Sequence, residues 1–403
     1  MLENITYNIS DFDYDLPQEL IAQTPIEPRD ASRLLLVHRD SERFEHRHFR
    51  DIGTYVRPGD LLIANQSRVL PARLPGHRAE TGGAVEVLLL VERPDLGPDY
   101  WETLVRPGRR LREGSRIVFG NGGGGEMQRG AFLQAEVLER TEAGGRIVRF
   151  TIGNTASLTQ GRGTRAGVNP APTDEAYRRG GVYPRPRIER GEGNHNVTVR
   201  DLIEQLGRMP LPPYIHETLH DPERYQTVYA RISGSAAAPT AGLHFTPYLL
   251  EQLRRQGVRV GFVTLHVGLD TFRPIECEDI REHKMYSEEI DLDAPTAELI
   301  NETRRAGGRV IAVGTTAVRV LESVARFHEG HIEPYHGATR LFITPGYRFQ
   351  VVDAMITNFH LPRSTLLLLV SAFASKALIE EAYLEAMRER YRFYSFGDAM
   401  LIL

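Results

Sequence analysis

Short apolar runs alternate with amphipathic segments of helical period over the second half of the chain. Strands are predicted at residues 258–265, 309–313, 338–343 and 351–356. Helices are predicted at residues 221–230, 247–256, 294–306, 317–327 and 376–389, and Ser364 or Thr365 is expected to cap one more. Strands that alternate with helices form parallel sheets with helices on their faces. The pattern therefore predicts an α/β fold, with a largely parallel sheet covered by helices.

Residues 61–150 show a different period, because short alternating strands follow one another with only Gly-, Pro- and Asp-rich turns between them. This pattern is typical of a small barrel or sandwich. We therefore predict a compact β domain at residues 61–150, inserted into an α/β domain at residues 1–60 and 151–403 that is expected to be catalytic. Residues 151–200 are rich in Gly, Arg, Asn and Pro, which predicts a long mobile connection.

Polar and small residues cluster where the predicted strands end. The segment SGSAAAPTAGLHFT at residues 233–246 surrounds Thr240 and His244 with small side chains, which allow a ligand to approach closely. Similar polar ends follow the strands in VTLHVGLDTF, VIAVGTTAVRVLE and ITNFHLPRSTLLLLVSAF. The candidate rim consists of Thr240, His244, Thr264, His266, Thr271, Thr315, Thr316, Arg319, Asn358, His360 and Ser364.

A rim of this kind suits a polar, hydroxyl-rich ligand, and its histidines can transfer protons near neutral pH. For each single histidine, a satisfied structural role remains the alternative, whereas the set as a whole favours a site. The chain has no Walker loop, no G-x-S-x-G motif and no G-x-G-x-x-G motif after a strand. Its histidines are not at metal-ligand spacing, so no metal site is expected.

Composition narrows the classes of protein further. The 403 residues favour two domains, and 49 basic against 53 acidic side chains give a net charge of −4, which argues against indiscriminate polyanion binding. Cys277 is the only cysteine, which excludes an internal disulfide and fits a reducing cytoplasm. No signal peptide is predicted at the N-terminus, and the longest apolar run is far too short to span a membrane.

Arginines cluster at two places despite the acidic balance. One cluster contains a single acid, Glu113, among Arg106, Arg109, Arg110, Arg112 and Arg116. It fits either a solvated strand face or a surface that contacts RNA phosphates. The second cluster is the R-D-x-S-R segment that ends at Arg33, which fits either a salt-bridged corner or an anion clamp.

Eight motifs spread over nearly the whole chain resemble those of one enzyme family. They are DYDLPQELIAQTPIEPRDASRLL, LPPYI, RYQTVYA, GSAAAPTAGLHFT, TLHVGLDTFRP, VIAVGTTAVRVLE, TNFHLPRSTLLLLVSAF and YRFYSFGDAML. On these motifs the chain resembles the S-adenosylmethionine:tRNA ribosyltransferase-isomerases of queuosine biosynthesis. Asp270 stands where this family usually has Gly, Tyr286 stands where a second His is usual, and the connection at residues 151–200 is longer than is typical.

The resemblance implies an α/β domain with an inserted β-barrel, and a specific reaction. S-adenosylmethionine, as a co-substrate, gives its ribosyl part to an aminomethyl-deazaguanine base at the wobble position of a tRNA with a GUN anticodon. The tRNA then carries epoxyqueuosine, and adenine and methionine are released. No permanently bound cofactor is expected, and the enzyme is expected to be a cytoplasmic monomer without membrane contact.

The roles of the candidate residues in this reaction are our own inference from their positions in the sequence, since the resemblance does not assign them. His244 is the first choice of general base, followed by His266 and His360, with Thr240 as a further catalytic candidate. Arg319 is expected to pair with the methionine carboxylate. The other expected contacts to S-adenosylmethionine are Gly242, Thr264, Gly268, Thr271, Thr315, Thr316, Asn358 and Ser364. The expected tRNA contacts are Arg33, Arg106, Arg109, Arg110 and Arg112. The alternatives are an S-adenosylmethionine-dependent tRNA methyltransferase and a non-catalytic RNA-binding protein.

Overall fold

A nine-stranded sheet organises most of the chain in the computed structural model of the protein. The structure describes residues 7–120, 131–141, 144–154, 197–268, 275–285 and 287–403. Across the sheet the strand order is β15 (Tyr335–Thr339), β13 (Glu288–Leu292), β12 (Arg259–Leu265), β3 (Leu61–Asn65), β14 (Val310–Val313), β16 (Ala354–Asn358), β17 (Ala399–Ile402), β1 (Arg33–His38) and β2 (Arg43–His48).

The sheet is parallel at its centre and mixed towards its edges. Strands β12, β3, β14 and β16 are parallel neighbours, and β17 is parallel to β1. The pairs β15–β13, β13–β12, β16–β17 and β1–β2 are antiparallel. A parallel pair needs a long crossover, so the short connection between β1 and β2 allows only an antiparallel pair. The predicted α/β class is confirmed, with parallel order concentrated at the centre of the sheet.

Strand β3 shows that the sheet is covered on both faces. All of its residues are buried, and Leu61 and Ile63 belong to one hydrophobic cluster while Leu62 and Ala64 belong to another. Successive side chains of a strand point to opposite faces, so each cluster lies on one face. Side chains of α2 (Pro247–Arg255) belong to the second cluster. The first cluster contains side chains of α3 (Ala294–Arg305), α4 (Thr315–Phe327), α5 (Thr365–Ala374) and α6 (Lys376–Arg388).

The helix predicted at residues 221–230 is wrong, since the structure has only one 3-10 turn there, Pro222–Tyr225. The side chain of Gln226 explains why the turn stops. Its Oε1 accepts a hydrogen bond from the Val69 amide at 3.0 Å, and its Nε2 donates to the Val69 carbonyl at 2.9 Å. These two bonds hold the backbone extended at Gln226, and β4 (Ser67–Val69) pairs nearby with β11 (Ile232–Ser235).

A closed six-stranded barrel organises a second group of residues, Leu74–Val87 and Glu92–Gly207, which contact clustering separates from Met1–Arg73, Leu88–Val91 and Arg208–Leu403. Helix α1 (Val199–Leu206) packs on two of the barrel strands, β9 (Ala131–Arg140) and β10 (Arg146–Asn154). Around the barrel the strand order is β10 (Arg146–Asn154), β7 (Tyr100–Arg106), β6 (Ala84–Glu92), β5 (Arg73–Arg78), β8 (Arg116–Phe119) and β9 (Ala131–Arg140).

The predicted start of the β domain at residue 61 is not where the barrel begins. Residues 61–65 form β3, which pairs with β12 and β14 inside the large sheet. A fully buried strand has the same apolar pattern in either sheet, so the sequence alone could not assign it. Most of the predicted mobile connection, residues 155–196, lies outside the described residues. In the part of the chain that the structure describes, no helix is long and apolar enough to cross a membrane.

Candidate active site

Two clefts contain predicted site residues in their lining. The larger cleft lies where the parallel strands β14 and β16 end, against the 3-10 turn Thr240–His244. It encloses about 560 Å³, part of it open to solvent. Carboxyl ends of parallel strands are the usual position of ligand sites in α/β sheets. Five of the predicted rim residues line this cleft, namely Thr240, Thr315, Thr316, Asn358 and His360. The other lining residues are Tyr214, Ala238, Pro239, Ala241, Val267, Gly314, Thr357, Phe359, Leu361, Leu366, Tyr394 and Ser395.

His360 is a buried histidine held at fixed atoms. Its Nε2 is 2.7 Å from the Thr357 hydroxyl, and its amide donates to the Tyr383 hydroxyl at 2.8 Å. The Tyr14 hydroxyl donates to its carbonyl. Burial lowers the pKa of His360 to about 3, so the ring is neutral at physiological pH. A neutral imidazole at the wall of the cleft is able to accept a proton from a ligand.

One buried oxygen in the wall, Thr316 Oγ1, has no hydrogen-bond partner among the described residues. The Asn358 carboxamide is held at both ends, because its Nδ2 donates to the Tyr394 carbonyl at 3.0 Å and its oxygen interacts with the His244 ring. A buried polar atom without a partner costs free energy that a bound ligand can recover. The cleft therefore presents a polar atom prepared for a ligand with hydroxyl groups.

Gly314 forms the turn from β14 into α4, and its φ of 87° lies in the left-handed region that favours glycine. The turn places Thr315 and Thr316 in the first turn of α4, both in the lining of the cleft. Helix N-termini present free amide groups and a partial positive charge, which suit oxygen atoms of a ligand. The structure thus places the strand–Gly–Thr–Thr turn at the cleft, and its binding of a ligand stays a prediction.

His244 lies at the far end of the 3-10 turn and lines a second, smaller cleft rather than the larger one. Its Nδ1 is 2.8 Å from the Ser32 hydroxyl, and its ring stacks on Phe49 with centroids 5.0 Å apart. Burial lowers the pKa of His244 to about 4, against an opposing hydrogen-bond effect from Asn358. His244, the first choice of general base, is therefore a buried residue that packs on Phe49.

His266 and three other predicted contacts do not line the larger cleft as the structure describes it. The His266 ring packs against Gly234, where an added Cβ would lie 2.8 Å from its Cε1. The Thr264 hydroxyl accepts a hydrogen bond from Gln66 at 3.3 Å. Gly242 packs against the hydroxyl of Tyr229, and the Gly268 amide is 3.4 Å from Glu288 Oε1. Thr271, Asp270 and Tyr286 lie outside the described residues.

Arg319 is buried in an ion pair and does not line the larger cleft. Its Nη1 pairs with the equally buried Glu288, and its Nε donates to the Leu341 carbonyl at 3.2 Å. Burial lowers the pKa of Arg319 to about 10. The guanidinium predicted to hold a methionine carboxylate is thus already neutralised by a carboxylate of the chain.

Ser364 caps helix α5, as the sequence predicted. Its Oγ accepts from the Leu367 amide at 3.2 Å and donates to the Leu361 carbonyl at 2.7 Å. Both lone pair and proton of the hydroxyl are therefore used within the chain. The cap lies beside the cleft, because Leu361 and Leu366 are in its lining.

Ser364→Ala is expected to lower the free energy of unfolding by about 1 kcal/mol, because the first turn of α5 loses its side-chain acceptor. Urea denaturation checks this value. Ser364→Gly is the matched variant, since glycine at an N-cap typically costs only a few tenths of a kcal/mol. If both variants lose the same free energy of unfolding, and more than about 1 kcal/mol, the hydroxyl stabilises something other than the helix end.

The predicted RNA contacts divide into two kinds. Arg33 is tied to the C-terminal segment, because its Nη1 donates to the Glu389 carbonyl at 2.6 Å and its guanidinium lies 3.8 Å from the Tyr391 ring centroid. The barrel arginines are exposed and have no ion pair among the described residues; they are Arg106, Arg109, Arg110 and Arg112.

The buried Arg146 holds the turn that carries these exposed arginines. It donates to the carbonyls of Gly108 at 3.0 Å and Leu111 at 3.2 Å, and to those of Gly144 at 3.1 Å and Gly145 at 2.8 Å. Four bonds from one guanidinium fix the backbone on both sides of the turn. The exposed arginines therefore project from an ordered surface.

The lining residues that were not among the sequence candidates include Tyr214, Tyr394 and Ser395. The Tyr214 and Ser395 hydroxyls are 2.7 Å apart, and Tyr394 has a φ of 70°, which is unusual for a bulky residue. Both segments lie within motifs that carried the family resemblance, LPPYI and YRFYSFGDAML. That membership was the one signal in the sequence that pointed to them.

Comparison with known proteins gives consistent matches over nearly the whole chain. A model of the queuosine biosynthesis protein family matches residues 9–402. The S-adenosylmethionine:tRNA ribosyltransferase-isomerase of Symbiobacterium thermophilum is 52% identical over 395 residues, which cover 98% of this chain and 99% of that protein. Its namesake from Moorella thermoacetica is 51% identical with the same coverage. The solved S-adenosylmethionine tRNA ribosyltransferase of Thermotoga maritima is 38% identical over 98% of this chain and 100% of its own, with a TM-score of 0.49.

Fold and cleft together define an α/β protein with a cleft at the carboxyl ends of parallel strands, which is the usual position of a ligand site in such sheets. The family follows from the extent of the matches. The chain belongs to the queuosine biosynthesis protein family, as the family model and both bacterial relatives show. The resemblance expected from the eight motifs is confirmed.

Proposed function

We propose that this chain is an S-adenosylmethionine:tRNA ribosyltransferase-isomerase. It transfers and isomerises the ribosyl part of S-adenosylmethionine onto 7-aminomethyl-7-deazaguanine at the wobble position of a GUN-anticodon tRNA. The observation that carries the proposal is the identity of 52% and 51% to two proteins of that name over 98% of the chain. The polar cleft at the ends of β14 and β16 supports it, because the ribosyl donor is rich in hydroxyl groups.

The reaction begins with removal of a proton from the ribose carbon next to the sulfonium, whose positive charge makes that carbon acidic. Adenine then leaves, the amine of the tRNA base attacks, and ring closure expels methionine. We assign the first step to His360, because it is the histidine in the lining of the larger cleft. If its Nε2–H donates to Thr357, the lone pair of Nδ1 is available for the proton.

The low pKa of His360 is compatible with this role because the charge of the bound complex does not change in the step. The sulfonium is positive before the transfer, and the imidazolium is positive after it, when the carbanion compensates the sulfonium. Burial penalises an added charge, whereas here a positive charge is exchanged between two groups of one cleft. The transfer therefore adds no net charge to the buried cleft.

The remaining lining residues bind and orient the donor in this proposal. Thr316 Oγ1, which is buried without a partner among the described residues, receives a hydrogen bond from a ribose hydroxyl group, and Asn358 lines the same cleft. Thr240 and Thr315 contact the same part of the donor from the facing turn and the start of α4. Arg319 acts in our proposal through its pair with Glu288, which fixes α4 against β13.

The function is tested by mass spectrometry of precursor tRNA after incubation with S-adenosylmethionine. The expected product carries epoxyqueuosine, with one adenine and one methionine released per modified tRNA. Formation of S-adenosylhomocysteine and a methylated tRNA would instead identify a methyltransferase. Binding of intact tRNA without any product would identify a non-catalytic RNA-binding protein.

Charge reversal of the barrel arginines is expected to weaken tRNA binding. Replacing Arg109 and Arg110 by Glu removes phosphate contacts from the turn that Arg146 holds, and each lost contact lowers the log–log salt slope by about 0.7–0.9. Titration of tRNA binding at several salt concentrations measures both effects. Arg149→Glu is the control on the same barrel, because its guanidinium already pairs with Glu136 at 3.0 Å. Equal affinity and slope in all variants would show a merely solvated face.

A further inference from the structure

The second cleft contains two arginines that the proposed reaction does not use. It lies within the same group of residues as the larger cleft and shares Ser395 with it. It encloses about 260 Å³, part of it open to solvent, and Arg29, Arg224 and His244 are in its lining. Both arginines and His244 therefore line a second cleft next to the proposed donor site.

Backbone carbonyls hold both guanidinium groups without neutralising them. Arg29 donates to the Leu243 carbonyl at 3.3 Å and to the Glu223 carbonyl at 2.9 Å. Arg224 donates to the Ile26 carbonyl at 2.5 Å. A carbonyl fixes the plane of a guanidinium and leaves its positive charge, and its remaining N–H groups, for another partner. Both arginines are thus oriented in advance.

The carboxylates nearest to these arginines compete only weakly with a ligand. Glu27 lies 3.2 Å from Arg224, and its side chain is 75% exposed, so water screens the pair. The carboxylate of Glu223 pairs with Arg68 instead. Within the described part of the chain, no carboxylate forms an ion pair with Arg29.

The two arginines lie close enough to influence each other. Burial and then the charge of Arg224 lower the pKa of Arg29, and the carboxylates of Glu27, Asp221 and Glu223 oppose this shift. Arg392 is a third guanidinium nearby, whose charge, like that of Arg29, disfavours protonation of His244. The buried Asp398 accepts from the backbone amide of Arg392 and offsets part of this charge. Neighbouring like charges repel, so an anion bound between Arg29 and Arg224 is stabilised by both.

We propose that the second cleft is an oxyanion site, in which Arg29 and Arg224 bind a tRNA phosphodiester or the carboxylate of S-adenosylmethionine. The identity of these two sources rests on the proposed function. Both groups present paired oxygens that match the fork of a guanidinium. In this proposal one oxyanion group of a larger ligand reaches into the cleft.

Arg224→Gln is expected to lower the affinity for one of the two substrates by about tenfold or more, since a charge-assisted hydrogen bond is lost. Equilibrium binding of precursor tRNA and of S-adenosylmethionine is measured separately, without turnover. A tRNA phosphate predicts weaker tRNA binding, a salt slope lower by about 0.7–0.9 and unchanged S-adenosylmethionine binding. If the cleft binds the carboxylate of S-adenosylmethionine, the affinity for S-adenosylmethionine falls, and tRNA binding and its salt slope stay unchanged. Arg224→Lys, which keeps the charge and loses the fork, should fall between the wild type and Arg224→Gln.

Two controls separate the site from folding and from the proposed function. Arg255→Gln makes the same charge change on an exposed arginine paired with Glu251 at 3.0 Å, and it should leave both affinities unchanged. Inorganic phosphate, compared with chloride at equal ionic strength, should raise the melting temperature of the wild type more than that of Arg224→Gln. This arm remains valid even if no modified tRNA forms. Unchanged affinities for both substrates together with equal phosphate stabilisation would overturn the proposal.

Discussion

His360→Ala is expected to lower kcat by about 10²–10⁴, the typical contribution of a positioned proton acceptor. The affinity for S-adenosylmethionine should change little, because the buried oxygen of Thr316 and the other lining residues remain. Single-turnover kinetics on precursor tRNA measure the rate, and isothermal titration measures donor binding. A loss in kcat with preserved binding is the signature of a group that acts in the transition state.

His244→Ala is the matched variant, because both histidines are buried and both are neutral at physiological pH. It is expected to affect folding stability through the lost stacking on Phe49, and to affect kcat less than His360→Ala. The reverse order of the two kcat losses, in variants with native circular dichroism, would return the general base to His244. If both variants turn over at near wild-type rates, neither histidine is the general base, and His266 is the next candidate.

The central fold was predictable because its signals are local. Parallel strands need helical crossovers, and the alternation of apolar runs with amphipathic segments records them directly. The remaining strands of the sheet were harder to predict from the sequence. Strand β15 covers Tyr335–Thr339 where residues 338–343 were expected, and β13 and β17 were not predicted at all. Their pairing depends on partners distant in sequence, which no local pattern encodes.

The cleft residues on β14 and β16 were predictable because strand ends converge at one edge of a parallel sheet. His244 was assigned to the same cleft as Thr240 on the assumption that one small-residue segment faces one ligand. In the structure the segment is a 3-10 turn with about three residues per turn, so positions four apart point about 120° away from each other. Thr240 therefore lines the larger cleft while His244 lines the smaller one.

Arg319 shows a different limit of the sequence. Its position at the start of a helix after a strand suggested a carboxylate ligand, and it does bind a carboxylate. That carboxylate belongs to Glu288, on a strand three elements earlier in the chain. Long-range pairing of buried charges leaves no pattern in a single sequence. The same holds for the Tyr214 and Ser395 hydroxyls, which come together from distant segments.

Acid is expected to destabilise the protein well above the range in which exposed carboxylates titrate. Burial lowers the pKa of His360 to about 3 and that of His244 to about 4, whereas an unfolded histidine titrates near pH 6.5. The unfolded state therefore binds more protons below that pH, and stability falls as the pH decreases. The stabilisation is complete above about pH 6.5 and is lost progressively towards about pH 3–4.

Between about pH 7 and pH 5, each buried histidine is expected to contribute a loss of roughly 2 kcal/mol in the free energy of unfolding. His360→Gln and His244→Gln should each reduce this pH-dependent loss by about that amount, whatever their effect on stability at pH 7. Urea denaturation at the two pH values gives the difference directly.

Using the difference between two pH values removes the cost of the substitution itself, because that cost is the same at both. His220→Gln is the control, since His220 is exposed and water solvates its imidazole in both states. This variant should keep the pH dependence of the wild type. If the His360 and His244 variants keep it as well, the two rings accept protons in the folded protein, and burial does not exclude the imidazolium from the cleft walls. A neutral His360 as general base would then lose its physical support, which links this stability measurement to the proposed mechanism.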